Sequence, residues 1–268
     1  SAVEAIGHFE CSNDMLNKIH NASVQSTLTN IQSVITDCPQ REQNGWTDDT
    51  LLLAERSLMN FDMTAVYKKQ LVDICDTQRP NGQICCIAPT GGWGYNWGSS
   101  GPAWDSALIL IPYHIYFYTG DKSVLANVWD NMKAYMRFIE SMSANDEVCF
   151  GLGDWCTLKG AEVCPTVITD TAYFYVDNKI MAECVEILGE DGAKYKKRAA
   201  EIKNSFREKY IKNDFYLGNN TTAIACAIYQ GLYDEAEKSK AARRLNELYI
   251  KGGFRIDFGI LGIKYLFT

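Results

Sequence analysis

Helical periodicity dominates this chain and sets its fold class. Apolar residues recur at intervals of three and four, the spacing that lines one face of an α-helix, in about nine segments. These segments lie near residues 13–34, 48–59, 62–77, 104–118, 122–142, 170–188, 191–210, 221–231 and 233–250. Strand-like runs are scarce, and those at 83–88 and 146–152 suit only short loop hairpins. The pattern predicts an all-α fold.

The capping and turn residues between these segments predict how the helices connect. Ser12-Asn13 and Thr169-Asp170 are start signals for the first and sixth helices, and Gly120-Asp121 marks a tight turn. The stretches 79–103 and 145–169 are irregular and rich in Gly, Trp and Cys, and long loops of this kind are usually functional. No repeat period is legible, which argues against TPR or HEAT arrays. The layout favours an α/α-toroid, in which paired helices form two rings and loops gather over a central cavity.

Composition excludes several classes of partner. The net charge of −7 and the absence of a Lys/Arg cluster argue against a nucleic-acid surface. No segment approaches the ~20 apolar residues that a membrane helix needs. Ten cysteines without a CxxC pair, together with three histidines, predict free thiols and neither a metal site nor a cofactor. A neutral sugar remains compatible with this surface.

The densest group of charges is the loop from Asp37 to Asp49, which holds four carboxylates, one arginine and one tryptophan. Like charges packed this closely need solvation or partners. In a purely structural interpretation, Asp48 or Asp49 caps the helix that contains Leu51. That interpretation accounts for one aspartate but leaves Arg41 and the tryptophan unexplained, so the loop alone favours neither a solvated turn nor a functional site.

A family resemblance adds to this reading. The run Asp37-Cys38-Pro39-Gln40-Arg41-Glu42, followed by Gly45-Trp46-Thr47 and an aspartate, resembles the signature of bacterial α-L-rhamnosidases of glycoside hydrolase family 78. Further similar motifs follow in the family's order: Phe9-Glu10-Cys11-Ser12 with Leu16-Asn17, Pro102-Ala103-Trp104-Asp105-Ser106-Ala107, Gly153-Asp154-Trp155, and Gly259-Ile260-Leu261-Gly262-Ile263-Lys264-Tyr265-Leu266. The chain departs from the family at one point, where one residue is missing between Arg41 and Gly45.

The resemblance implies a fold and an activity. The family's catalytic domain is an (α/α)6 barrel of twelve helices, of which nine or ten are expected here. A single domain is therefore expected over residues 1–268. The chain ends in an apolar run at 263–268, which predicts that this domain is cut inside a helix and forms an incomplete toroid. The implied reaction is removal of terminal α-L-rhamnose with inversion, and the implied substrates are rhamnose-containing glycosides or polysaccharides. The family's second catalytic glutamate would lie beyond this chain.

The resemblance implies a role for each of several charged residues in the acidic loop. Glu42 is the candidate general acid, and Asp37 and Asp49 are expected to raise its pKa by like-charge repulsion. Arg41 is expected to bind a sugar hydroxyl or to pair with an aspartate. Asp37 and Asp49 resemble residues that accept hydrogen bonds from vicinal sugar hydroxyls.

Later in the chain, three other positions are considered as the water-activating base: Asp105, Asp154 and Asp257. None of them matches the family's base. Asp105 and Asp154 are instead expected to bind sugar, so the general base is expected to be absent from this chain.

Three tryptophans that adjoin acidic or glycine-rich positions are predicted sugar platforms: Trp46, Trp104 and Trp155. An isolated tryptophan is more often part of a hydrophobic core. Three tryptophans that each lie beside an acidic or glycine-rich loop position favour sugar binding instead. Trp93 and Trp97 are candidates for the outer pocket.

Two alternatives stay open, namely another (α/α)6 glycosidase and a non-catalytic, degenerate barrel that only binds sugar.

Overall fold

The computed structural model describes residues 3–95, 100–211 and 217–267. Within these ranges the protein is helical, and β-structure is confined to isolated bridges. The α-helices are α1 Asp14–Asn30, α2 Thr47–Asn60, α3 Thr64–Asp76, α4 Pro102–Asp105, α5 Ala107–Thr119, α6 Ser123–Met142, α7 Thr166–Ile187, α8 Ala193–Phe206, α9 Thr221–Tyr229, α10 Glu235–Lys251 and α11 Ile260–Phe267. A π-helical turn, Arg207–Ile211, follows α8. Among these described helices, none has the length and apolarity needed to cross a bilayer.

The first of two compact units comprises Ser1–Tyr95 and Trp104–Tyr135. In this unit α5 packs against both α2 and α3. Residues 107–112 of α5 are all buried, so this helix has almost no polar face and forms the centre of the unit's core. α2 contributes Leu51, Ala54 and Leu58, whose spacing of three and four places them on one buried face. The acidic loop leads into the first turn of α2, which contains its last residues, Asp48 and Asp49.

The second unit comprises Asn96–Ala103 and Met136–Thr268. Here α7 packs against α8 and α9, and α9 packs against α10 and α11. α7 and α9 are buried around most of their circumference, whereas α8 and α10 each expose a charged face. On α8, for example, Arg198 forms ion pairs with Glu140 and Asp146 at N–O distances of 2.9 and 2.6 Å. The Gly153-Asp154-Trp155 motif belongs to this unit.

Two helix boundaries follow their predicted signals. Asn13 caps α1, because its Oδ1 accepts hydrogen bonds from the N–H groups of Met15 and Leu16 at 2.9 and 3.4 Å. Gly120 ends α5 with a φ of 72°, in the left-handed region that glycine adopts without strain.

Three other local predictions are wrong. α1 ends at Asn30 rather than near residue 34, because Ile31 and Ile35 form a bridge around a turn. α7 begins at Thr166, and the predicted start signal Thr169-Asp170 is fully buried inside the helix. The runs at 83–88 and 146–152 form only isolated bridges within the described residues, because their side chains and main chain bond to helices and loops instead of to a partner strand.

Candidate active site

The acidic loop is a turn that Asp37 closes. The Asn44 N–H donates to Asp37 Oδ1 at 3.0 Å, and the Asp37 N–H donates to the Asn44 carbonyl at 3.1 Å. Inside the turn, the Gln43 N–H donates to the Cys38 carbonyl at 3.2 Å. Asp37 therefore holds the two ends of the turn together with its N–H and one carboxylate oxygen.

Main-chain hydrogen bonds fix this turn to residues 86–88 in the same unit. The Thr47 N–H donates to the Cys86 carbonyl and the Ala88 N–H donates to the Gly45 carbonyl, each at 2.9 Å. The Ala88 carbonyl in turn accepts from Gln70 Nε2 at 2.7 Å. A Cβ on residue 45 would lie 2.3 Å from the Ala88 carbonyl oxygen, so this position requires glycine. The signature glycine is thus explained by a close approach of two main chains.

Glu42 and Trp46, one helical turn apart in sequence, meet on the exposed side of the loop. The Trp46 indole N–H donates to Glu42 Oε2 at 3.0 Å, and Glu42 as a whole is exposed. The exposed Trp93 packs edge-on against Trp46, with ring centroids 5.9 Å apart and planes at 82°. Arg41 is also exposed and, within the described part of the chain, makes no hydrogen bond or ion pair. The predicted pairing of Arg41 with an aspartate is therefore not observed.

The raised pKa of this site is found at Asp49. Burial, the nearby Asp37 carboxylate and, more weakly, the Glu42 carboxylate raise the pKa of Asp49 to about 6, against a lowering by its own backbone N–H. Asp49 lies in the first turn of α2 and is more buried than Glu42. Asp37, Glu42 and Asp49 are thus close enough to interact electrostatically.

The predicted capping role of Asp48 or Asp49 is wrong. The residue before α2 is Trp46, which makes no side-chain capping bond, and both aspartates belong to the first helical turn. Negative charge is favoured there because the backbone N–H groups of a helix N-terminus point toward it. Asp48 is completely buried, whereas Asp49 is partly accessible and can face a ligand.

Asp154, in the second unit, is buried and accepts four hydrogen bonds from protein groups on α9 and at the start of α11. This arrangement favours a structural role over the predicted sugar contact. Its neighbour Trp155 is 51% exposed and can offer its ring to a ligand.

Trp104 and Asp105, which are predicted to contact sugar, are both buried. Trp104 is 2% exposed and Asp105 is fully buried, both at the end of the short helix α4. Such burial leaves little surface for direct contact with a ligand and favours a core role. Trp97 lies outside the described residues.

Comparison with known proteins identifies the family. Residues 4–268 match the model of the bacterial α-L-rhamnosidase six-hairpin glycosidase domain. The chain belongs to this family. A solved α-L-rhamnosidase from Dictyoglumus thermophilum is 33% identical with a TM-score of 0.92, over 100% of this chain and 31% of that one. The Streptomyces avermitilis α-L-rhamnosidase, solved with L-rhamnose, is 28% identical with a TM-score of 0.90, over 98% of this chain and 25% of that one.

A curated α-L-rhamnosidase from Formosa agariphila is 30% identical over 99% of this chain and 30% of its own length. The chain therefore spans less than a third of the length of these rhamnosidases.

The predicted all-α class and the six-hairpin (α/α)6 fold of the rhamnosidase family are confirmed. Ten helices of eight or more residues lie within the described ranges, in agreement with the nine or ten expected.

Proposed function

We propose that this rhamnosidase-family domain binds a terminal α-L-rhamnosyl group and supplies the acid that cleaves it from its aglycone with inversion. The observation that carries the proposal is the geometry of Glu42, an exposed carboxylate held through one oxygen by the Trp46 indole N–H. A general acid needs this arrangement, because the second oxygen must carry the proton and approach the glycosidic oxygen.

The groups around Glu42 suit a neutral, hydroxyl-rich ligand. Asp37 and Asp49 offer acceptor oxygens for sugar O–H groups, and Arg41 offers donors on the exposed side of the loop. Trp46 supplies an apolar face for the C–H groups and the methyl group of a 6-deoxy sugar. In the second unit, Trp155 is proposed as a sugar platform in its own right because its ring is exposed.

Inversion also requires a second carboxylate, ~6.5–9.5 Å from the acid, to activate water on the opposite face of the sugar. Among the three candidates from the sequence, Asp105 is buried and Asp154 is engaged by four donors. Asp257 is partly accessible, but it does not match the base of the rhamnosidase family. We therefore place the base in a part of the protein outside these 268 residues. The much greater length of the related rhamnosidases is consistent with this assignment.

The test is Glu42→Gln in the intact protein that carries this domain, assayed on aryl α-L-rhamnosides. Removing the acid should lower kcat by ~10²–10⁴-fold for a poor leaving group. The loss should be much smaller for a dinitrophenyl leaving group, which departs without protonation. Proton NMR of the first-formed sugar should show the β-anomer.

Glu10→Gln, a matched change at an exposed carboxylate outside the loop, should leave the rates unchanged. Full activity of Glu42→Gln would show that the acid lies elsewhere. Rhamnose binding by the intact protein without turnover would support the sugar-binding alternative. Faster turnover of another glycoside would support a different specificity.

A further inference from the structure

Four consecutive backbone N–H groups at the start of α11 are bound by only two residues of a distant loop. The N–H groups of Leu261 and Gly262 donate to Asp154 Oδ1 at 3.0 and 3.1 Å, and that of Gly259 donates to Oδ2 at 2.9 Å. The remaining one, of Ile260, donates to the Trp155 carbonyl at 2.9 Å. The first N–H groups of a helix have no partner within the helix, so Asp154 and Trp155 act as a cap supplied from another segment.

The carboxylate of Asp154 is shared with a second helix. Its Oδ2 also accepts from the Thr222 hydroxyl, in the first turn of α9, at 2.9 Å. Asp154 is 3% exposed, and its two oxygens accept two hydrogen bonds each. A buried carboxylate is tolerated when donors of this number surround it, and the N-terminus of α11 adds a favourable field. The residue therefore ties the loop to the starts of α9 and α11 at once.

The glycines of α11 make this contact sterically feasible. A Cβ on Gly259 would lie 2.2 Å from the Trp155 carbonyl oxygen, and a Cβ on Gly262 would lie 2.7 Å from Thr222 Oγ1. Any side chain at position 259 would push the loop away from the helix. The late glycine-rich motif and the Gly153-Asp154-Trp155 motif are thus two halves of one contact.

Trp155 is the residue that this contact presents to solvent. Its main chain is fixed by Asp154 on one side and by the bond to Ile260, and the chain turns sharply after it, because Cys156 has a φ of 62°. Its side chain remains half exposed. We infer that Asp154 is a positioning residue, which fixes Trp155 for contact with the sugar without touching the sugar itself. The inference rests on the proposed function in one respect, namely that Trp155 is a rhamnose platform.

The kinetic test compares three variants of the intact protein: Asp154→Asn, Gly259→Ala and Trp155→Ala. A platform contributes equally to ground-state and transition-state binding, so its loss raises KM and leaves kcat nearly unchanged. All three variants should raise KM roughly tenfold, the loss expected for one aromatic contact. The double variant of Asp154→Asn with Trp155→Ala should be no worse than Trp155→Ala alone. Asp191→Asn is the matched control, because Asp191 also accepts an N–H bond near a helix start but adjoins no tryptophan.

Hydrogen–deuterium exchange gives a readout that needs no substrate. Asp154→Asn and Gly259→Ala should both speed exchange in the peptides that contain residues 153–158 and 259–262, and Asp191→Asn should not. Unchanged exchange at 153–158 in a folded Asp154→Asn protein would overturn the inference. A fall in kcat at constant KM, or additive losses in the double variant, would also overturn it, because Asp154 would then act independently of Trp155.

A failure of the proposed function looks different. If Trp155→Ala leaves KM unchanged, Trp155 is not a platform, and exchange at 153–158 alone then decides whether Asp154 positions it. If Asp154→Asn does not fold, Gly259→Ala and Thr222→Val provide the same comparison without changing the carboxylate.

Discussion

Asp49→Asn should make the protein more stable and less active, and the gain in stability should depend on pH. The pKa of Asp49 rises from its ordinary value of 3.8 to about 6 in the folded protein. A shift of about 2 pH units corresponds to about 3 kcal/mol, since each unit is worth about 1.4 kcal/mol. The side chain is sufficiently buried for most of this energy to be retained.

The sign follows from proton binding. Folded Asp49 binds its proton more tightly than unfolded Asp49, so the free energy of unfolding decreases as the pH rises from about 4 to about 6 and then levels off. An asparagine has no charge to desolvate and keeps an oxygen that can accept the residue's own N–H. The variant should therefore exceed the parent by up to about 3 kcal/mol at neutral pH, and the difference should vanish below about pH 4.

Urea denaturation followed by circular dichroism at about pH 4.5 and about pH 7.5 measures this difference. Asp37→Asn should reproduce part of the effect and Glu42→Gln a smaller part, following the order in which these carboxylates raise the pKa of Asp49. Asp14→Asn, an exposed change in the first turn of α1, is the matched control for removing a carboxylate at a helix start. A stability gain for Asp49→Asn that is equal at both pH values would refute the reasoning. The expected loss of rhamnoside turnover would mark Asp49 as a position where binding is maintained at the expense of stability.

Three further outcomes are expected. Trp46→Phe keeps an aromatic ring but removes the N–H bond to Glu42, so kcat should fall roughly tenfold, which is the effect expected for losing a hydrogen bond to a charged group. The control Trp93→Phe should leave kcat unchanged, and equal losses in the two variants would contradict this role of the indole. Asp170→Asn should fold and should gain stability relative to the parent as the pH rises, because burial raises the pKa of Asp170 well above its ordinary value. The urea midpoints of the two proteins, measured across the pH range, test this difference in stability. The 268-residue chain alone should hydrolyse aryl α-L-rhamnosides ~10²-fold or more slowly than the intact protein, because the base is proposed to lie outside it. Robust turnover in a direct rate comparison would mean that the base is within this chain.

Local signals in the sequence predicted the local features of the fold well. The positions of the helices follow from apolar periodicity, and Asn13 and Gly120 act where their conformational preferences suggest. Signals of the same kind gave a wrong prediction at Thr169-Asp170, because a polar pair can also be buried inside a helix. Asp170 accepts the N–H of Phe150 in a neighbouring loop, and the Thr169 hydroxyl donates to the Thr166 carbonyl of its own helix. Periodicity therefore locates helices more reliably than it locates their first residues.

The site was predictable in outline and not in detail. The acidic loop could be recognised because its residues are neighbours in sequence, and it does form one closed turn. Burial of Trp104 and the partners of Asp154 depend on segments far away along the chain, so adjacency to an acid or a glycine could not distinguish an exposed platform from a core residue. The pKa of Asp49 likewise depends on how deeply the first turn of α2 is packed.

The attachment of the acidic loop to residues 86–88 has a consequence for how this scaffold can change. The bonds use the carbonyl groups of Cys86 and Gly45 and the N–H groups of Thr47 and Ala88, which belong to the main chain and not to side chains. Substitutions on the exposed surface around Trp93 can therefore change that surface while these backbone bonds persist. Libraries built at residues 90–93 should yield new aglycone preferences more often than they yield inactive proteins, since the side-chain contact described between this surface and Glu42 is the Trp46–Trp93 pair.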